Sequence, residues 1–441
     1  MNRSESGSGS ARGDRVVCSK QVALLVVLAF ISCFPSLVAA DGTGQGQGST
    51  PRIETSLITI LPGKPVYSSF GHTAVRVIDH GAGTDRFYTY GQSAKPFDFL
   101  FVNDLLHGRM DFMVDAFNTK DAFRFYREIE NRTIIEQTLQ IDQEHAARLK
   151  ERVERDSRPE NSTYRYRFFT DNCATRVVVL LDEVLADLEP QVSPSVEKTF
   201  RESIDEVLEE KNWLRLGLNF LLGPFADQTR SVESAVFLPR EIMDQAAGTT
   251  IQGLSGRQRF VGQPQLVFLH KDEAPSIGFP SPAHLFAGLL ILSVLLAFRA
   301  PNDRLSVFIF DAVLFGGIAI LGFVPGFLWL SSGYEESAMN MNLLWANPLP
   351  LVALVWQRVR PRHRIPKILF SVELAVVVAF ALFGGFGIQG VAPEIRLVCA
   401  FVAFRYAAFL GLPGLVRRRG SRLDTRVDTP GKVERKTGQR R

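Results

Sequence analysis

Apolar and polar positions along the 441-residue chain fall into two regimes that meet near residue 275. Before that point apolar residues recur at the short intervals of half-buried strands and helices. Past Pro280 they run almost unbroken, in stretches suited to a bilayer. In the first regime Thr55–Leu61 is β-branched and stops at Pro62-Gly63, and Thr73–Asp79 and Arg86–Gly91 read as further strands around a glycine-rich turn at 81–83. Helical spacing follows. Lys120–Glu130 sets Phe123 and Tyr126 on one side behind the caps Asn118 and Thr119, Asp142 caps a charged helix through Arg155, and Val196–Lys211 is amphipathic behind Pro194. The pattern predicts a mixed α+β soluble domain over 52–275, with one β-cluster near its N-terminus.

The second regime predicts an all-α five-helix transmembrane domain over 276–415, with spans near 283–299, 305–330, 343–357, 367–388 and 393–413. Each approaches the roughly 20 residues a helix needs to cross, although the third is short and holds Pro348 and Pro350. Loop charge alternates. Arg299 and Arg304 fall in one loop, Glu335 and Glu336 in the next, and Arg358, Arg360, Arg362, Arg364 and Lys367 in the third; a nearly neutral loop and a basic tail at 416–441 follow. That alternation predicts an exported soluble domain and a cytoplasmic C-terminus. The start of the chain agrees: Arg12, Arg15 and Lys20 precede an apolar run from Val22 to Val38 and the small-residue site Val38-Ala39-Ala40, a signal peptide over 1–40 rather than an uncleaved anchor. Residues 41–51 are a Gly, Gln and Ser linker. The mean hydropathy of +0.06 averages the two regimes. The net charge of +4, much of it in the tail, gives no ground for nucleic-acid binding.

Chemistry enters with the cysteines. Of four, Cys18 and Cys33 fall in the leader and Cys399 in an apolar span, so Cys173 is a lone exported thiol. It opens a helix in Phe169-Thr170-Asp171-Asn172-Cys173-Ala174-Thr175-Arg176. A helix N-terminus, partial exposure and a histidine base would each lower its pKa, and the free N–H groups there would hold an oxyanion. Among seven histidines His72 stands out, following a glycine at the start of a strand in Ser69-Phe70-Gly71-His72-Thr73; His107 is the reserve. Taken singly, His72 reads as a structural imidazole and Cys173 as a small buried hydrophobe. Asp311, Glu373 and Arg405 are ionisable residues inside spans, read either as a headgroup or amine site opening to the outside or as an interhelical ion pair. No cofactor or metal is expected.

Set in order, these pieces resemble the Bacteroidota-type lipoprotein N-acyltransferase family (Lnb-like). The resemblance rests on Phe70-Gly71-His72-Thr73-Ala74 with Tyr90-Gly91, Tyr164-Arg165-Tyr166 leading to Asp171-Asn172-Cys173-Ala174-Thr175, Asn212-Trp213, Leu221-Leu222-Gly223 and Phe237-Leu238-Pro239. In the membrane half it rests on Asn340-Met341-Asn342-Leu343-Leu344-Trp345-Ala346-Asn347-Pro348. It implies a papain-like, permuted NlpC/P60-type periplasmic domain on a multi-pass inner-membrane protein of bacteria, with Cys173 as nucleophile and His72 as general base. It leaves the third, orienting group open, with Tyr90 and Asn172 as candidates, and Glu335 and Glu336 take no catalytic role. The implied reaction moves an acyl chain from a phospholipid, through a Cys173 thioester, to the α-amine of a diacylated lipoprotein. The alternatives are a membrane-tethered cysteine peptidase or amidase, and a receptor or transport component without catalysis.

Overall fold

A seven-stranded antiparallel sheet forms the frame of the first half. The computed structural model describes residues 52–95, 98–192, 198–230, 236–253, 255–271, 280–299 and 304–412. The expected signal peptide, linker and basic tail lie outside the described residues. The sheet runs in the order β6 (Thr163–Arg165), β4 (Asp111–Asn118), β3 (Thr84–Ser93), β2 (His72–Asp79), β1 (Ile53–Ile60), β5 (Ile134–Thr138) and β9 (Gln265–Phe268), while β7 (Thr250–Gly253) and β8 (Gly256–Arg259) form a separate hairpin. The expected single β-cluster near the N-terminus is therefore corrected. Both edge strands come from far along the chain, and strands of three and four residues carry too little alternation to be read locally.

Strand periodicity sorts the core. Leu57, Val75, Val77, Tyr88 and Tyr90 face one way, onto α3 (Gln143–Asp156) and α4 (Cys173–Leu185). Ile58, Ile60, Ala74 and Phe87 face the other way, onto α2 (Thr119–Arg124) and a π-helical turn at Phe125–Ile129 that continues it. The predicted helix Lys120–Glu130 is thus two pieces. Helix α1 (Phe99–Leu106) fills the β3–β4 connection. Of the expected helix Val196–Lys211, residues 196–197 lie outside the described residues, and the rest is helical over α5 (Phe200–Val207), where Thr199 and Glu202 form a reciprocal cap. Then come α6 (Asn212–Leu221) and α7 (Pro239–Gly248).

The C-terminal half is helical: α8 (Pro282–Arg299), α9 (Arg304–Ser331), α10 (Leu349–Val359), α11 (Ile365–Phe383) and α12 (Pro393–Phe409). Among the described residues three stretches are long and apolar enough to cross a membrane, Leu305–Ser331, Glu335–Val359 and Ile365–Phe383. The middle one is only half α-helix. Its first part is two 3-10 turns, Glu335–Ser337 and Met341–Leu344, and α10 begins only beside Pro348 and Pro350.

Helix α6 lies between the halves because it is apolar on two sides. Leu214 and Leu218 pack on the Phe169–Phe200–Phe237 cluster of the soluble half, whereas Leu216 and Phe220 join the membrane core, Phe220 edge-on to Trp345. Polar clamps fix it there. Asn340 and Asn342 donate side-chain N–H groups to the Phe220 carbonyl at 2.9 and 3.1 Å, Gly223 N–H donates to the Glu336 carbonyl, and Arg215 pairs with Glu394. Asn342 is fully buried, so its removal strands the groups it satisfies. We predict that Asn342→Leu lowers stability by about 1–3 kcal/mol. A thermal-unfolding scan in detergent checks this; an unchanged midpoint would show that these bonds do not seat α6.

Candidate active site

Asn172 is where the thiol-bearing helix begins. Its side-chain carbonyl accepts from the Ala174 and Thr175 N–H groups at 2.8 and 3.0 Å, and Thr175 Oγ1 accepts the Asn172 N–H in return. Its amide nitrogen donates to the carbonyls of Phe168 and Phe237 at 2.7 and 2.9 Å. Every polar atom of this buried side chain is used in placing the next residue, Cys173. The run before it is closed by paired backbone bonds between Arg167 and Asp171, and the Asp171 carboxylate holds the Arg176 guanidinium in a two-toothed pair at 2.6 and 2.9 Å.

His72 is the first residue of β2, and Gly71 before it has φ +82°. A methyl group there would stand 2.9 Å from the Ile60 carbonyl, so only glycine makes this turn. The His72 side chain belongs to the α2 face of the sheet, while Cys173 packs against the α4 face. They meet over Gly91, at a β-bulge between Tyr90 and Gln92 where φ is +142°. A single methyl placed on Gly91 would touch His72 Cε1 at 3.4 Å and Cys173 Cβ at 3.5 Å. The absent side chain is what lets the two groups share one spot.

The far nitrogen of the ring, Nε2, lies 2.6 Å from the hydroxyl of buried Thr89. This leaves the Nδ1–Cε1 edge toward Gly91, whose other neighbour is the Cys173 Cβ. Tyr126 stacks on the other side of the imidazole, and Arg132 lies over Tyr126 while bonding to Glu130 at 2.6 Å and the Leu61 carbonyl at 2.9 Å. Burial, with the Arg132 charge adding to it, lowers the His72 pKa to about 3. Burial likewise pushes the Cys173 thiol up, although the backbone N–H groups of Thr73, Ala174 and Cys173 pull the other way. This corrects the expectation of a lowered thiol pKa. The helix terminus acts as anticipated, but desolvation outweighs it. The resting pair is thiol and neutral imidazole.

The two candidates for an orienting group stand elsewhere. The Tyr90 hydroxyl donates to Asp156 at 2.9 Å on the opposite face, and Asn172 is spent on capping. Thr89 is the group at His72, and strand parity carries the signal, since Thr89 pairs with Ala74 and shares the His72 face. His107 Nδ1 donates to the Asn103 carbonyl at 2.8 Å, and the ring sits edge-on to Phe327 of α9. The intramembrane candidates do not form one site. Arg405 grips Asp311 at 2.8 and 2.9 Å as a buried interhelical pair, whereas Glu373 meets only the Asn347 amide among the contacts described. Asp311 also lines a cavity shared with Arg358 and Pro361, and of the two readings of these residues the interhelical ion pair describes Asp311 and Arg405.

With His72 neutral down to about pH 3 and an unfolded imidazole near 6.5, the unfolded chain binds more protons between those values. This group's contribution to stability is therefore full above 6.5 and is withdrawn as pH falls toward 3. For the thiol we predict that iodoacetamide labelling of Cys173 climbs steadily through neutral pH with no step near 6.5, its midpoint above the ordinary 9.0. A plateau of fast labelling between pH 5 and 8 would instead reveal a preformed thiolate–imidazolium pair.

Residues 45–204 match the family model of the Lnb N-terminal periplasmic domain, and residues 273–412 match that of the Lnb transmembrane domain. No curated protein and no solved structure matches the chain.

Proposed function

The chain belongs to the Lnb family, and from that premise we propose that it is a lipoprotein N-acyltransferase with Cys173 as nucleophile and His72 as base. The observation that carries this reading is that the His72 ring edge and the Cys173 Cβ both border Gly91, in the half of the molecule clamped through α6 to a membrane domain. The reading takes the soluble domain (52–275) as papain-like with permuted order, the five C-terminal helices (276–415) as five spans, and the protein as resident in the bacterial inner membrane with its tail in the cytoplasm.

In the first step Cys173 Sγ attacks the ester carbonyl of a phospholipid while His72 Nδ1 takes the thiol proton. The C–O bond to glycerol breaks, His72 returns the proton to the leaving oxygen, a lysophospholipid departs and a thioester remains. In the second step the neutral α-amine of a diacylglyceryl-cysteine attacks, the C–S bond breaks, and the amine proton passes through His72 to the sulfur. The Asn172 side chain accepts from the Ala174 and Thr175 amides, and the N–H groups of Cys173 and Thr73, which with that of Ala174 act on the sulfur, are the donors suited to the oxyanion. Thr89 serves as a positioning residue, holding the imidazole edge toward the thiol. A neutral pair suits an apolar setting, where a standing ion pair is expensive.

Transfer must outrun hydrolysis, and the surroundings favour dryness. Helix α1 exposes Phe99, Leu100, Val102 and Leu105 and buries none of its residues. It adjoins the end of α9 through the His107–Phe327 contact and the Tyr334 hydroxyl on the Leu105 carbonyl. Val66, Tyr67, Phe125 and Ile129 are exposed around the Tyr126 side of the imidazole. A cell-wall peptidase would use the same dyad but has no use for this apolar collar.

Mass spectrometry of lipoprotein N-termini tests the proposal: Cys173→Ala abolishes the amide-linked chain, and His72→Ala slows its formation on the order of 100-fold or more. Triacylated termini that persist in the Cys173→Ala cells, with no other acyltransferase present, would sink it. Leu100→Asp with Val102→Asp is expected to lower transfer several-fold while leaving iodoacetamide labelling of Cys173 intact. Equal transfer would mean the collar has no part in it.

A further inference from the structure

An apolar cavity of about 450 Å³ lies away from the thiol, between the membrane helices and α6. Trp213 and Gly217 of α6, Phe286 of α8, Gly317 of α9, Trp345 and Val398 of α12 are among the residues that line it. Helix α8 packs along α12 and α9 along α10, so the cavity occupies the space between α8 and α9. Val313 and Leu321, which also line it, are 71% and 54% exposed, so it is continuous with the surface α9 turns to the bilayer.

The two glycines are the second observation. Both sit inside helices without positive φ, where glycine weakens the helix relative to alanine. A side chain on either would meet nothing within 4 Å. Gly322, one turn further along α9, is different: a Cβ there would run into the Ala346 carbonyl, so close packing accounts for it. Close packing does not account for Gly217 and Gly317. Their one shared consequence is room in the cavity.

We propose that this cavity holds one acyl chain of a glycerophospholipid, which slips in sideways between α8 and α9. The lining suits methylenes and little else. Polar groups stand just beside it, where a lipid's ester and headgroup would come: the Trp213 ring N–H on the Pro280 carbonyl, and the Arg215–Glu394 pair next to lining residues Leu216 and Ile395. The acyl-transfer reading is needed only to name this lipid as the donor; occupancy of the cavity is independent of it. Since α6 lines the cavity with one side and packs toward the soluble half with the other, a chain held here would wait beneath the catalytic domain.

The test uses the full chain in nanodiscs of phosphatidylethanolamine and phosphatidylglycerol, doped with a phosphatidylethanolamine that carries a diazirine in its acyl chain. After irradiation, cross-linked peptides are mapped by mass spectrometry. We expect adducts concentrated around Phe286, Gly317 and Val398, lost in Gly317→Phe and in Gly217→Leu, with Cys173 labelling by iodoacetamide unchanged as the sign of an intact fold. Adducts spread evenly over every lipid-facing helix of the wild type would overturn the proposal, and that result needs no variant to fold. So would adducts that persist in both filled variants, or that a diacylglyceryl lipopeptide displaces in preference to phospholipid. Cys173→Ala separates the two ideas: it keeps the cavity adducts, and if it leaves lipoprotein N-termini unchanged, only the acyl-transfer reading falls.

Discussion

The carboxamide of Asn172 ties three parts of the molecule to one point. Its oxygen starts the helix that presents the thiol, and its nitrogen binds that helix start to the carbonyls of Phe168 and Phe237. Those two residues belong to the aromatic cluster of Phe169, Phe200 and Phe225, on which one side of α6 rests, and the other side of α6 rests on the membrane core. The sulfur is therefore positioned relative to the bilayer through a short series of buried contacts. An aspartate in place of Asn172 would keep the cap and lose both carbonyl partners, which explains why an amide stands where many residues would cap a helix equally well.

Desolvation governs the electrostatics of the dyad. A thiolate and an imidazolium attract each other, but each must first shed water, and the Arg132 charge, although paired with Glu130, opposes an imidazolium. The backbone N–H groups at the helix start partly offset the loss for sulfur. Nothing comparable serves the imidazole, whose far nitrogen faces a hydroxyl rather than a carboxylate. A carboxylate at position 89 would favour imidazolium and shift the balance toward a standing ion pair. Threonine orients the ring without charging it, and the proton then moves only when an electrophile arrives.

Much of this was legible in the residue order. The strands bearing His72 and Gly91, the helix opening at Cys173 and the apolar second half all follow from patterns spanning a few residues. What local pattern could not carry was parity and burial. Tyr90 and Thr89 are neighbours, yet alternation sends one to Asp156 and the other to His72, and only the register with β2 decides which. The thiol pKa turned on burial supplied by segments distant in sequence. The intramembrane charges failed as a single site for the same reason, because spacing along separate helices does not say which side chains meet.

The half-unwound middle stretch, Glu335–Val359, links these points. Backbone that leaves the helix inside a membrane must find partners for its N–H and C=O groups, and it finds them where protein rather than lipid surrounds it. Here the unwound part, from Glu335 to Pro348, lies against α6 and the loop after it. Its asparagines accept and donate in place of helical bonds: Asn340 Oδ1 takes the Asn342 N–H at 2.9 Å, while both side-chain amides reach the Phe220 carbonyl. Asn342 Oδ1 also accepts the Trp345 ring N–H at 3.1 Å, fixing one wall of the apolar cavity. The Asn-x-Asn-x-x-Trp pattern thus needs no catalytic role to be constrained. It replaces helical hydrogen bonds with bonds across the junction, so that a soluble domain can rest on a membrane domain without leaving polar backbone exposed to lipid.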